Sequence, residues 1–422
     1  MNIILVPMKN TKIISIGFFI KAGSRNETDK NSGVAHFLEH IMFKGTTNRT
    51  AEKLFNELDI LGAVYNAATT PQYTYYYVYG NSNDTKELLD VMLDIYINPQ
   101  FNTKEINKER KVIIEEMRMR FDSPLTKLYS VIHQKIFADT SLARNIIGDT
   151  ETIMNLRKKD MELFRSSLYN PKNSVFVVCG NFAPEPIYHI IKNILGPLKN
   201  SLITPVTYFN EREIILKNMH DQIKPYVYIK KDISYQQVYL IIAFPMYDLY
   251  SYKSVEIDIL SQLLSSGFSS RLSKSLREKN GITYVSNAYP IVYSDSGLFL
   301  VQIIMNPSEL IKSLKIVLKE LKKIKLEPIT DNEMEKIINV TKNETLYSLE
   351  RPIDMLTYFG INFLVHREFE PDFQNFDELT KIKKDQIQET AKEIFISDKI
   401  NLFMYGNIQE TNYDFIDLCR LL

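Results

Sequence analysis

Tryptophan is absent from the sequence, cysteine occurs only twice and histidine six times. Two cysteines, Cys179 and Cys419, cannot build a disulfide framework or a cysteine-rich zinc site. Neither sign of charge is in excess, since 51 lysines and arginines meet 51 aspartates and glutamates. A dedicated nucleic-acid binder needs a basic surplus to neutralise phosphates, so this balance argues against that class. Long apolar runs are missing as well. The longest near the start, Ile13 to Ile20, has eight residues, against the ~20 that a membrane-spanning helix requires. The opening MNIILVPMKN has neither the charged and apolar regions of a secretory signal nor an Arg-rich presequence. The five Asn-x-Ser/Thr sequons then read as chance in an Asn-rich chain, and a cytoplasmic location is expected.

What is present is an ordinary globular composition: 45% apolar and 24% charged residues over 422 positions, too apolar for a disordered chain. At roughly 100–200 residues per domain, this length makes two or three domains. The run from Ile13 to Lys21 reads as a strand, broken by Ala22-Gly23-Ser24-Arg25-Asn26. Ser32 is placed to cap a helix from about Gly33 to Phe43, which Gly45 stops. A second helix, about Ala51 to Leu61, ends at Gly62 before the tyrosine-rich strand Tyr73 to Tyr79. Helices are expected near 84–97 and 103–121, the latter capped by Asn102 and closed by Asp122-Ser123-Pro124, and Val175 to Cys179 reads as a buried strand.

Turn-forming pairs crowd residues 196–225, the candidate linker. A comparable series then restarts, with strands at 226–229 and 238–244, helices at 255–264 and 269–279, a strand at 291–304, and helices at 307–325 and 330–347. This suggests an internal duplication. The segment Gly33 to His40 precedes Gly267 to Lys274 by 234 residues, and Glu105-Ile-Asn-Lys precedes Glu333-Met-Glu-Lys by 228. In that alignment the second copy has Ser270, Ser273 and Lys274 where the first has His36, Glu39 and His40. The domains expected are 1–205 and 226–422, joined by 206–225.

Two of the six histidines, His36 and His40, lie four residues apart. On a helix such residues share a face, about 5–6 Å between Cβ atoms, so both imidazoles can reach one metal ion. Glu39, one step around, can address the same ion through a bound water. His-x-x-Glu-His is the inverted zinc-protease motif, and its chance occurrence in a chain of this composition is on the order of one in two hundred. The same residues would also suit an amphipathic core helix with Phe37, Leu38, Ile41 and Met42 as its core face. Catalytic zinc takes three protein ligands and leaves a position for water. Glu109, Glu115 and Glu116 are candidates for the third ligand, and Glu109 and Glu116 lie seven residues apart on one helix face. One can bind metal while the other orients a ligand histidine. The alternative is a solvated acidic face paired with Lys108, Arg110 and Lys111.

His36-x-x-Glu39-His40, followed by Glu116 76 residues after His40, resembles the pitrilysin/insulinase family of zinc peptidases. The string HFLEHIMFKGT, with Ala22-Gly23-Ser24-Arg25 upstream, is most similar to the mitochondrial processing peptidase branch and its bacterial relatives. The resemblance covers nearly the whole chain. It implies an α+β fold of two homologous processing-peptidase-like (LuxS/MPP-like metallohydrolase) domains, each a mostly antiparallel sheet packed with helices. It also implies that His36, His40 and Glu116 bind one zinc ion per chain and that Glu39 is the catalytic base. Glu109 would stand behind a ligand histidine, and Glu115 would have no direct role. Asn66-Ala67-Ala68-Thr69-Thr70 resembles the edge strand whose backbone pairs with extended substrate, making Asn66 and Ala67 substrate-binding candidates. Leu276 to Tyr284 resembles a segment whose arginine, here Arg277, contacts substrate backbone and whose tyrosine, here Tyr284, helps stabilise the tetrahedral oxyanion. Apart from the resemblance, these two would be a charged helix end and a strand tyrosine.

The activity so implied is zinc-dependent hydrolysis of peptide bonds in extended or unfolded peptides. The alternative class is a catalytically silent structural or binding subunit on the same fold. A two-histidine, one-glutamate site with an open position also suits manganese or cobalt. The long glycine-rich loop of non-catalytic processing-peptidase α subunits is missing, since Ser265-Ser266-Gly267-Phe268 is short. The zinc half and the Arg/Tyr half thus lie in one chain. Family chambers use four such units, so a homodimer is expected, with peptide substrate as the other partner and no nucleic acid or membrane. His133, His189, His220 and His366 read as structural or surface residues, and Arg144 and Gly148 as turn and packing residues. The abrupt N-terminus implies a shortened first strand.

Overall fold

The β-prone run near the start becomes the central strand of a five-stranded sheet, in a computed structural model that describes residues 1–198, 211–366, 379–408 and 414–422. This sheet holds β1 (Asn2–Pro7), β2 (Ile13–Ile20), β3 (Val64–Thr69), β4 (Thr74–Asn81) and β5 (Ser174–Gly180), in the order β1-β5-β2-β4-β3. Only β1 and β5 run parallel. Because β2 is central and covered on both faces, seven of its eight residues are buried, which accounts for its unbroken apolar run. In β4 the two faces differ: Tyr76 and Val78 are fully buried, while Tyr75, Tyr77 and Tyr79 are only half-buried and stack along the other face. Residues NIILVP form a six-residue first strand paired along its whole length with β5.

Helices α1 (Val34–Met42), α2 (Ala51–Ile60), α3 (Thr85–Ile97) and α4 (Thr103–Asp122) belong to the first half, and Pro124 then opens α5 (Pro124–Ile136). Asn102 accepts a hydrogen bond from the Lys104 amide at 2.8 Å and so caps α4 as expected. The second sheet holds β6 (Tyr226–Lys231), β7 (Val238–Met246), β8 (Val285–Val292), β9 (Gly297–Met305) and β10 (Asn401–Gly406), in the order β6-β10-β7-β9-β8. That is the first order with every strand advanced by five, again with a single parallel pair, β6 and β10. The fold is therefore α+β, built from two homologous, mostly antiparallel sheets with packed helices. Among the described residues no helix is long and apolar enough to cross a membrane.

The repeat is real, but one pairing read from sequence is displaced. By order of elements, the counterpart of α1 is the helix Ser254–Ser265, whose sequence SVEIDILSQLLS contains no histidine, and not the segment at 267–274. The pairing of Glu105 with Glu333 does fall on equivalent helices, α4 and Asp331–Glu350. Two other readings change. The strand expected over 291–304 is two strands, β8 and β9, joined through Ser294-Asp295-Ser296, where the Tyr293 amide donates to the Ser296 carbonyl at 2.8 Å. The helix expected over 269–279 contains a π-helical stretch, Ser273–Glu278. Within the stretch read as a linker, residues Glu211–Asp221 form a helix, while 199–210 lie outside the described residues.

The chain forms two compact units, neither continuous in sequence. One comprises Met1–Arg120, Arg144–Phe209 and Thr345–Glu370; the other comprises Phe121–Ala143, Asn210–Glu344 and Pro371–Leu422. In the first unit, the helix Pro352–His366 lays Met355, Leu356, Phe359 and Leu364 on the face made by Phe19, Val175, Val177 and Cys179. It approaches so closely that a Cβ on Gly360 would lie 2.3 Å from the Phe19 ring. In the second unit, α5 lays Leu128, Ile132 and Ile136 on Ile241, Ala243, Leu298, Leu300 and Phe403.

Candidate metal centre

Helix α1 forms because Val34, Ala35, Phe37, Leu38, Ile41 and Met42 are all buried, an apolar stripe at helical spacing that seats it in the core. Its start is not capped by Ser32. The N-cap position is Gly33, in the left-handed region at φ 88°, and it has no side-chain cap of its own. Glu27 does this work from six residues upstream: its carboxylate accepts from the Gly33 and Ala35 amides, each at 2.8 Å. Gly148, also left-handed at φ 77°, backs Gly33 so closely that a Cβ would meet the Ser32 carbonyl at 2.7 Å. Gly148 is thus a packing residue, and Arg144 beside it pairs with Asp29 at 3.0 Å.

This seating puts the imidazoles of His36 and His40 side by side, ring centres 4.7 Å apart. Glu116, from α4, offers one oxygen to His36 Nε2 at 3.7 Å and the other to His40 Nε2 at 3.4 Å. Glu109, two turns earlier on α4, is buried and meets His40 Nδ1 at 3.1 Å, with Lys44 on its other oxygen at 2.7 Å. Glu115 points to solvent and pairs with Arg118. Of the three acidic candidates, Glu116 is the one whose carboxylate faces both rings. Arg120 also reaches Glu116, at 2.8 Å. Glu39 accepts a hydrogen bond from the Thr69 hydroxyl at the end of β3.

Burial, aided by the neighbouring His40 charge, pushes the His36 pKa down to about 4, so this ring is neutral at physiological pH. Burial also works against a charged His40, but the Glu109 and Glu116 carboxylates outweigh it and hold the pKa up to about 9. The His40 hydrogen bond pulls Glu116 down to about 2 against its partial burial. Burial raises the Glu39 carboxyl above the usual range, opposed by the Thr69 bond and the His40 charge.

The donor set fits a metal ion. The ligand atoms of His36, His40 and Glu116 all lie within 4.8 Å of one another. Ligands placed tetrahedrally at zinc bond lengths are about 3.3 Å apart, close to the 3.4 and 3.7 Å separations between Glu116 and the two rings. Two imidazoles and a carboxylate are suited to zinc. Glu109 stands on His40 Nδ1, the position from which a carboxylate supports a metal-bound histidine, whereas His36 Nδ1 is buried without a hydrogen-bond partner.

Asn66 and Ala67 lie on β3, which ends the sheet order and hydrogen-bonds only to β4 within it. The Asn66 side chain accepts from the Ala67 amide at 2.8 Å. Arg277 and Tyr284 belong to the second unit, Arg277 on the π-helical stretch and Tyr284 just before β8. His133 is held by the Leu142 carbonyl and the Tyr293 hydroxyl, and His189 is exposed near Glu185. The side chains of His220 and His366 lie outside the described set. Sequence reasoning missed Glu27, Lys44 and Thr69. Thr69 stands inside the quoted Asn66–Thr70 segment, but its target is 30 residues away and is set by packing.

The fold and this donor set define a duplicated α+β protein with a candidate metal centre in its first half. The model of the insulinase family (peptidase family M16) matches residues 3–150, and that of the peptidase M16 inactive domain matches residues 155–341. The chain belongs to the insulinase family, peptidase family M16. An uncharacterised zinc protease of Rickettsia felis is 29% identical over 406 residues, covering 94% of this chain and 93% of that one. The crystal structure of a protease from Helicobacter pylori matches with a TM-score of 0.85 at 25% identity, covering 96% of each chain. A probable mitochondrial-processing peptidase β subunit of Arabidopsis thaliana is 24% identical over 409 residues, 95% of this chain and 76% of that one. The resemblance read from HFLEHIMFKGT therefore holds at the level of the family, whose members here are named a zinc protease, a protease and a processing-peptidase subunit.

Proposed function

We propose that the chain is a zinc-dependent endopeptidase hydrolysing peptide bonds in extended or unfolded peptides. The reading rests on the convergence of His36, His40 and Glu116, with ligand atoms within 4.8 Å, beside a carboxylate on the same helix, Glu39. His36 and His40 would hold one zinc ion through Nε2, with a Glu116 oxygen as third ligand. Bound there, zinc supplies Lewis-acid polarisation of the scissile carbonyl and a water acidified to a pKa of ~7. Glu39 takes the proton of the attacking water and returns it to the leaving amine. Its Oε2 is engaged by Thr69, so Oε1 is the atom left to take that proton. Glu109 fixes the tautomer of His40 by accepting from Nδ1–H. Asn66 and Ala67 would pair with substrate backbone, because β3 is a sheet edge and can accept an added strand. Arg277 would contact substrate backbone, and the Tyr284 hydroxyl would assist at the oxyanion. The working assembly in this reading is a homodimer.

The decisive variant is Glu39→Gln. It should retain about one zinc per chain while turnover of an unstructured peptide falls by roughly 10²–10⁴-fold. Near wild-type cleavage by E39Q would overturn the mechanism. A second reading, a silent subunit, draws on the match of residues 155–341 to a domain described as inactive. Elemental analysis finding no stoichiometric zinc, with no activity after zinc is added, would favour it.

A further inference from the structure

Arg277 lies over two aromatic rings. Its guanidinium carbon is 4.7 Å from the centre of the Phe268 ring and 4.3 Å from that of Tyr284. Both rings are unusually open for large aromatics, Phe268 at 69% and Tyr284 at 85% exposure. Among the described residues the carboxylate within reach of the guanidinium is that of its own neighbour Glu278, at 4.0 Å. The charge therefore rests on the two rings, with only this long ion pair beside them. Contact with the aromatic rings consumes none of the five N–H donors, which lie in the guanidinium plane and stay available to acceptors. The backbone is shaped for this. Phe268 follows Gly267, left-handed at φ 72° with open space where a Cβ would stand, so the ring is carried on a projecting turn. Arg277 rides the π-helical stretch Ser273–Glu278, a distortion that is frequent at functional sites.

We propose that Phe268 is a positioning residue for peptide binding. With Tyr284 it clamps the Arg277 guanidinium plane and turns its N–H edge toward main-chain carbonyls of an extended peptide. This rests on the endopeptidase reading, in which Arg277 contacts substrate backbone. An unclamped arginine would have to freeze its side-chain rotamers as substrate binds; the stack orders it beforehand.

The test compares Phe268→Ala, Phe268→Leu, Phe268→Tyr and Arg277→Ala, using a fluorogenic unstructured peptide and, on the E39Q background, peptide binding by fluorescence anisotropy. F268A and F268L should each raise KM and Kd about tenfold, with kcat changed less than about threefold. F268Y should return both to within about twofold of wild type. With the ring this exposed, thermal stability should be unchanged in all three. F268A combined with R277A should bind no more weakly than R277A alone. If R277A weakens binding but F268A or F268L does not, this inference falls and the endopeptidase reading stands. If R277A itself has no effect, or the wild-type chain neither cleaves nor binds the peptide, the role read for Arg277 falls and carries this inference with it.

Discussion

Thr69 shows how much of the site depends on a single hydroxyl. It donates to Glu39 Oε2, and so fixes the carboxylate that the proposed mechanism uses as its base. Thr69→Val keeps the shape of the side chain and removes the bond. Its kcat should fall about tenfold, in the range for residues that orient a reacting group, with zinc content unchanged, and Thr69→Ser should recover most of the loss. A T69V enzyme with wild-type kcat would show that Glu39 needs no such hold. At this scale the sequence was most legible where the contact is local. His36, Glu39 and His40 share one helical turn, so their spacing alone reports their common face. Glu116 and Glu109 needed the second helix to be docked before Glu115 could be set apart. Thr69 and Glu27 were not legible, because each acts on an atom of another element.

Among the elements, α5 carries the clearest pH dependence. His133 donates from Nδ1 to the Leu142 carbonyl at 3.1 Å, and its Nε2 lies 3.3 Å from the Tyr293 hydroxyl, so the neutral ring satisfies both contacts. Burial lowers its pKa, against the favourable Leu142 bond. The folded state therefore binds fewer protons at this site than the unfolded chain. The stability this residue contributes is full above the unfolded value of ~6.5 and is lost as pH falls below it toward the lower folded pKa. In urea denaturation, the stability gap between wild type and His133→Gln should be larger at pH 7.5 than at pH 5.0. A gap that does not change with pH would mean that the folded and unfolded chains bind protons equally at this ring. Element boundaries show the same division between local and distant causes. The hairpin hidden in 291–304 had its turn residues in plain view, Ser294, Asp295, Ser296 and Gly297. The capping of α1 by Glu27 had no signal at the usual spacing.

For the whole molecule, the exchange of helices between the two halves of the sequence has a direct consequence. Burying a large aliphatic or aromatic side chain contributes ~1.5–3 kcal/mol. Met355, Leu356, Phe359 and Leu364 together therefore supply on the order of 10 kcal/mol to the first unit, comparable with the total stability of a domain. A fragment of residues 1–205 lacks that helix. It should bind ANS strongly and show no cooperative urea transition, whereas the full chain should unfold cooperatively. A fragment that stays monomeric, silent to ANS and cooperative would show that this sheet face needs no cover. The proposed homodimer is checked by light scattering, with an expected mass of twice 49.2 kDa; full activity from a species that is only monomeric would defeat it.

Composition, spacing and short motifs were enough to specify the family, the two-sheet duplication and the histidine pair, because each depends on residues within one element or on a repeated order of elements. Long-range packing settled the rest. It turned Glu116 rather than Glu115 toward the rings, moved the counterpart of α1 to Ser254–Ser265, and placed a helix from each half of the sequence on the sheet of the other half. A hydrophobic period states that a face will be buried, but any apolar face of suitable size can bury it. Which partner does so is decided only when the chain closes on itself. The scarce histidines illustrate both sides: their spacing announced a shared face, and the carboxylates of a second helix made that face a candidate metal centre.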